Sequence, residues 1–101
     1  MQIENTHLPT HVLVRRTGRF DFSTRDAFIA HIKQTIAQAA APDIRVDLAG
    51  VDYVDSSALG MLLMTRDMAK QHDKEVTLSS PQPAVRQILD TAQFSRLFKV
   101  M

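Results

Sequence analysis

The sequence contains no cysteine and no tryptophan, and only three glycines and four prolines among its 101 residues. Without cysteine, neither a disulfide framework nor a thiolate metal site can form. No apolar stretch approaches the roughly 20 residues that span a bilayer. The N-terminus also lacks the basic and then apolar pattern of a signal peptide. We therefore expect a cytoplasmic protein with no direct membrane insertion, and the length predicts a single domain, residues 1–101.

The sequence also has little that would support catalysis or nucleic-acid binding. The net charge is +1, and no basic run suggests a nucleic-acid surface. The three glycines, Gly18, Gly50 and Gly60, are isolated, so no glycine-rich phosphate loop is present. Ser56 lacks a Gly-x-Ser-x-Gly context, and the four histidines show no metal-binding spacing. We expect no enzyme activity, no cofactor, no metal and no nucleic-acid partner.

Alternation of apolar and polar residues predicts four strands. The strongest signal is Asp43-Ile44-Arg45-Val46-Asp47-Leu48, which places three apolar side chains on one face and charges on the other. Another predicted strand is ended by Gly18 and forms a hairpin with a weak edge strand before it. The predicted strands are residues 1–6, 11–17, 43–48 and 75–78.

Helical spacing of apolar residues predicts three helices, which gives the order β-β-α-β-α-β-α with an apolar tail. In the first, Ser23 and Asp26 resemble a capping box, and Pro42 lies beyond its end. The last begins near Pro83. The tail, which contains Phe94, Leu97, Phe98 and Val100, is expected to pack back on the core. The predicted helices are residues 24–40, about 56–72, and a final helix that contains Val85, Ile88 and Leu89.

The chain is organised around the stretch 53–64, where an acid and two serines precede an apolar run. Asp55, Ser56 and Ser57 are typical of a helix N-terminal cap. The first N–H groups of a helix lack intrahelical partners, and the helix dipole adds partial positive charge there. A phosphate on Ser56 would be tolerated at that position. The alternative interpretation is that these residues only cap the helix.

The predicted central helix is apolar on nearly every side of its first turns. Met61, Met64 and Met68 share one stripe, and Leu59 and Leu63 lie on another. A domain of this size can hardly bury both stripes deeply, so we predict that one of them faces a partner. Flexible methionine side chains suit such a surface. Ordinary core filling is the alternative interpretation of the methionines.

Two segments carry a resemblance to a known family. Asp55-Ser56-Ser57-Ala58-Leu59-Gly60 resembles the signature of the STAS domain, the sulphate transporter and anti-sigma factor antagonist family. Gly18-Arg19-Phe20-Asp21, followed by Thr24, is similar to the family's Gly-x-Leu-Asp loop. The resemblance implies an α/β (α+β) fold, with a mixed β-sheet of four to five strands and helices packed mainly on one face.

The resemblance also implies a function for these residues. Members of the anti-sigma factor antagonist type bind a serine kinase of the histidine-kinase-like ATPase fold, often itself an anti-sigma factor. The kinase phosphorylates the first serine after the aspartate, here Ser56, and a PP2C-type phosphatase reverses the modification. The unphosphorylated form binds the partner. The implied partner-binding residues are Asp21, Asp55 and Ser57, to which the methionine stripe adds Met61 and Met64.

Two other interpretations of the sequence stay open. The domain could be a constitutive STAS subunit of a lipid or anion transport complex, in which case Ser56 would be only a cap. It could instead be a small anion-binding or nucleotide-binding module with its site near the start of the helix. The sequence departs from the family pattern at Ala58, where a glycine is common, and at Phe20, where an aliphatic residue is usual.

Overall fold

The computed structural model describes residues 2–101. Five strands of this range form one sheet with the spatial order β1-β2-β3-β4-β5. Strand β1 is antiparallel to β2, and the other neighbouring pairs are parallel. The predicted mixed sheet and the hairpin at its edge are therefore confirmed. Met1, at the start of the predicted edge strand, lies outside the described residues. The strands are β1 Gln2–His7, β2 His11–Phe20, β3 Asp43–Val54, β4 Glu75–Ser79 and β5 Lys99–Val100.

Three helices cover the apolar face of this sheet. They are α1 Arg25–Gln38, α2 Ser56–Gln71 and α3 Pro83–Thr91, and short 3-10 turns lie at Phe22–Thr24 and Phe94–Arg96. All three contribute buried side chains to one core, for example Phe28 from α1, Leu62 from α2 and Leu89 from α3. The element order predicted from the sequence is confirmed, with β5 added at its end.

Strand β3 shows why the sheet has one covered face. Ile44, Val46 and Leu48 are fully buried towards the helices. The residues between them, Arg45 and Asp47, lie on the opposite, partly exposed face. The strict alternation of the sequence therefore sets which side of the sheet the helices pack against.

Both central strands continue further than the sequence predicts. Gly18 does not end β2: it has a φ of 85° and lies at a shift in the pairing register, so it forms a bulge, and the strand continues to Phe20. Likewise β3 extends beyond 48 to Val54. A β-carbon at Gly50 would lie 2.7 Å from Thr17 Cγ2, so this glycine lets the two strands pair closely.

The C-terminal tail packs back on the core as predicted, and it adds a fifth strand. Phe94 and Phe98 are buried with their ring centroids 5.3 Å apart, whereas Leu97 is exposed. Lys99 and Val100 then pair with β4. Two residues are too few to show a strand period, so the sequence predicted only packing at this position.

An arginine lies in the core beneath the connection between β2 and α1. The Arg16 side chain is 0% exposed, and its guanidinium lies 4.4 Å from the centroid of the Phe20 ring. It donates to the carbonyls of Thr17 and Arg19 at 2.9 and 3.0 Å, and to the Thr24 hydroxyl at 2.8 Å. Burial lowers the pKa of Arg16 to about 10, an effect that the charge of Asp21 opposes. The guanidinium therefore holds this connection from the inside.

We expect replacement of Arg16 to destabilise the protein. Arg16→Ala leaves a cavity in the core and removes the donor of two partly buried hydrogen bonds to carbonyls, so the free energy of unfolding should fall by about 2–4 kcal/mol in urea denaturation. Arg16→Met keeps most of the apolar volume and should lose less. Arg15→Ala, at an exposed neighbour 3.4 Å from Asp47, is the control and should change stability by less than about 1 kcal/mol. Equal losses for Arg16→Ala and Arg15→Ala would contradict this account.

Candidate functional site

The candidate site lies where β2 and β3 end side by side. Phe20 and Val54 are paired across the two strands. Because the strands are parallel, Asp21 and Asp55 leave the same edge of the sheet, one into the connection to α1 and the other into the start of α2. Strand pairing therefore brings together two segments that are more than thirty residues apart in the chain.

Asp55 joins these two segments through its carboxylate. Its extended backbone, with φ −114° and ψ −176°, makes it the N-cap of α2, and Oδ1 accepts a hydrogen bond from Ala58 N at 2.9 Å. Oδ2 accepts from Phe22 N at 3.3 Å. The cap predicted from the sequence is thus present, and it also holds the β2–α1 connection against the start of α2.

Asp21 organises the other half of the site. Its Oδ1 accepts hydrogen bonds from Ser23 N at 3.1 Å and from Ser23 Oγ at 2.6 Å, and Arg19 donates to Oδ2 at 3.3 Å. These interactions, led by the Ser23 hydroxyl, lower the pKa of Asp21, so its carboxylate is ionised at neutral pH. The predicted capping box of Ser23 and Asp26 is wrong, because Asp21 binds Ser23 and the N-cap of α1 is Thr24.

Ser56 occupies the first position of α2 and is exposed, while Ser57 beside it is half-buried. Asp55 satisfies the N–H of Ala58, whereas the N–H groups of Ser56 and Ser57 have no acceptor within the helix. The positive end of the helix dipole is at the same point. A group added to the Ser56 hydroxyl would therefore meet solvent on one side and hydrogen-bond donors on the other.

The surface beside Ser56 includes residues that the sequence did not identify. Phe22, the first residue of the 3-10 turn that Asp21 caps, is 69% exposed. Arg19 stacks over the Tyr53 ring, 3.9 Å from its centroid, and Arg25 lies 3.9 Å from Met64 Sδ. No sequence signal identified Phe22: residues two apart in a strand share a face, so alternation alone would place Phe22 on the same side as the buried Phe20.

The predicted methionine stripe does not share one environment. Met64 is 38% exposed, but Met61 is only 1% exposed and packs in the core. The proposal of Met61 as a partner-binding residue is wrong for this fold, because the turn of α2 points it towards the sheet with Ala58 and Leu62. Met68 is half-buried. Core filling was therefore the correct interpretation for Met61 and not for Met64.

The arrangement suits binding of a protein or an anion more than catalysis. Both carboxylates beside Ser56 are held by main-chain N–H groups, so neither is placed as a free base. Within residues 2–101, no three His, Cys, Asp or Glu side chains cluster as metal ligands would. In the same part of the chain, every helix is too short or too polar to cross a membrane.

We expect Asp55 to contribute to stability through both of its hydrogen bonds. Asp55→Ala should lower the free energy of unfolding by about 1–2 kcal/mol and speed hydrogen exchange at the Phe22 amide. Asp55→Asn retains one acceptor oxygen and should lose less. Asp52→Ala, at an exposed position of β3, serves as the control and should stay within about 0.5 kcal/mol of the unchanged protein. Unchanged exchange at Phe22 in Asp55→Ala would contradict the bridging role.

Comparison with known proteins identifies the family. The model of the STAS domain matches residues 2–101. A STAS-domain containing protein of Pseudomonas aeruginosa is 40% identical over 85 residues, which cover 82% of this chain and 80% of the relative. An anti-sigma F factor antagonist of Paenibacillus polymyxa is 30% identical over 101 residues, which cover 100% of this chain and 84% of the relative.

Solved structures agree with this result at the level of the fold. The Bacillus anti-sigma factor antagonist SpoIIAA in its unphosphorylated form has a TM-score of 0.81 at 20% identity, covering 99% of this chain and 88% of that one. Its phosphorylated form has a TM-score of 0.73 at 19% identity, covering 99% and 91%. The chain therefore belongs to the STAS domain family, and among the members of that family it is similar to anti-sigma factor antagonists.

Proposed function

We propose that this protein is a phosphorylation-controlled binding switch that acts in the cytoplasm and catalyses no reaction itself. In its unphosphorylated form it binds a serine kinase of the histidine-kinase-like ATPase fold, which serves as an anti-sigma factor or a similar regulator. The kinase transfers a phosphoryl group from ATP to the Ser56 hydroxyl, and the complex separates. A PP2C-type phosphatase hydrolyses the phosphoserine and restores binding. The observation that carries the proposal is the exposed Ser56 at the first position of α2, directly after the N-cap residue Asp55.

The fold can accept this modification without rearrangement. A phosphate on Ser56 adds about −1.5 to −2 charge and three acceptor oxygens at a point where helix N–H groups lack partners. Both hydrogen bonds of Asp55 come from other residues, Ala58 and Phe22, so they need not break. The helix dipole favours negative charge at the same position.

The same phosphate changes how the surface meets a partner. Phe22 and, two turns further along α2, Met64 offer exposed apolar contact, and Asp55 places negative charge directly before Ser56. Two like charges about 4 Å apart repel by about 4 kcal/mol at an effective dielectric near 20. That energy corresponds to about a thousandfold loss in affinity for an acidic partner surface. A local charge is therefore sufficient to separate a complex.

The family relationship supports the proposed phosphorylation-controlled switch. The relative from Paenibacillus polymyxa is named as an antagonist of an anti-sigma factor, and SpoIIAA is known in both an unphosphorylated and a phosphorylated form. These properties belong to the two relatives, and they make Ser56 the residue of this chain to test first.

We expect phosphate on Ser56 in cells that produce the protein. Phosphopeptide mass spectrometry should find it on the peptide that contains Ser56. It should be absent in Ser56→Ala and present in Ser57→Ala, the matched control at the adjacent hydroxyl. Purified Ser56→Asp should keep its thermal midpoint within a few degrees, because an acid at the first position of a helix is favourable.

Two outcomes would contradict the proposal. The first is the absence of phosphate from Ser56 under every growth condition, which would favour a constitutive subunit with Ser56 as part of the cap sequence. The second is phosphate that persists on the same peptide in Ser56→Ala, which would move the modification to Ser57.

A further inference from the structure

Gly60, in the interior of α2, is a glycine that the fold itself does not require. Gly18 has a positive φ, and a β-carbon at Gly50 would collide with Thr17, so both of those glycines have a structural reason. At Gly60 the backbone is helical, and a β-carbon would meet nothing within 4 Å. Alanine would therefore fit at this position, and it is a much better helix former than glycine. Nothing within the described chain explains the glycine.

Gly60 lies between Ser56 and Met64 on one face of the helix. Residues four apart in an α-helix share a face, so these three positions follow one another along α2. Ser56 and Met64 are both exposed, and the missing side chain of Gly60 leaves a shallow gap between them. The gap thus adjoins the serine of the proposed switch.

The borders of this gap indicate what can occupy it. The apolar side chain of Met64 borders the gap at one end, and Arg25 of α1 contacts Met64, with Nη2 3.9 Å from Sδ. The nearest carboxylate to Arg25 is that of Asp26, at 3.4 Å on a side chain that is 99% exposed, so this ion pair is weak and solvated. The guanidinium therefore has donors available for a carboxylate of a partner. Bare helix backbone at Gly60 allows another main chain to approach closely.

We infer that the face of α2 formed by Ser56, Gly60 and Met64 binds the main chain of an acidic segment of the kinase, and that the absence of a side chain at Gly60 permits this contact. The inference rests on the proposed function and adds the place and the chemistry of the contact. It also explains why phosphate at Ser56 opposes binding, because an acidic segment that Arg25 attracts near Met64 would extend along the same face of α2 towards the new negative charge. Gly60 weakens the helix, and in exchange it leaves space for the partner.

The test compares stability with phosphorylation in the same variants. Gly60→Ala should raise the thermal midpoint by about 2–8 °C, because alanine favours the helix. In a desalted extract of the native cells supplied with ATP, the same variant should be phosphorylated on Ser56 about tenfold more slowly than the unchanged protein. Gly60→Leu should be slower still. Phosphopeptide mass spectrometry at timed intervals measures the rate.

A control substitution on another helix tests whether the effect is confined to this face of α2. Asp90→Ala changes an exposed residue near the end of α3, on a different helix from Ser56, Gly60 and Met64, and should leave the phosphorylation rate unchanged. Arg25→Ala should slow phosphorylation, because it removes the cation that attracts the acidic segment. If Gly60→Ala is stabilised and phosphorylated at the normal rate, the inference is overturned and the proposed switch stands. If the unchanged protein gains no phosphate on Ser56 in the extract, the proposed function fails, and this inference fails with it.

Discussion

The parallel pairing of β2 and β3 as far as Phe20 and Val54 determines where every part of the candidate site lies. Had either strand ended where its glycine suggests, Asp21 and Asp55 would not leave the sheet side by side. The bulge at Gly18 and the close approach at Gly50 are the two local features that let the pairing continue. Backbone geometry at Gly18 and Gly50 therefore positions the candidate site.

Two charged side chains then hold the β2–α1 connection from opposite sides. Arg16 donates from the core to the Thr24 hydroxyl, and Asp55 accepts the Phe22 N–H from the start of α2. Burying a guanidinium is costly, and the cost is offset here by three hydrogen bonds and by contact with the Phe20 ring. The result is a fixed connection that keeps the apolar Phe22 side chain in solvent. An exposed aromatic residue on a rigid segment can bind a partner with little loss of conformational entropy.

The sequence predicted the parts of this structure that depend on local periodicity. The strand around Val46 and the helix cap at Asp55 were both predicted correctly, because each is set by residues a few positions apart. The prediction that Gly18 ends its strand was wrong, since the bulge at Gly18 depends on the pairing of β2 with a strand that begins some twenty-five residues later in the chain. Arg16 was not placed in the core, because an arginine in a strand ordinarily lies at the surface. The two faces of α2 could not be distinguished either, since methionine suits both a core and a binding surface, and only packing against the sheet separates Met61 from Met64.

A switch that acts through surface charge suits a domain of this size. Small domains are stable by only about 5–15 kcal/mol, and reversing a two-state conformational equilibrium from 1:99 to 99:1 takes about 5.5 kcal/mol. A conformational switch would therefore require a large share of the total stability of a domain with one small core. The proposed phosphate on Ser56 would avoid that requirement, because the start of α2 favours added negative charge while an acidic partner surface would oppose it. In the proposed switch, the free energy that separates the two proteins would come from the interface, and the fold that positions the serine would stay the same in both states.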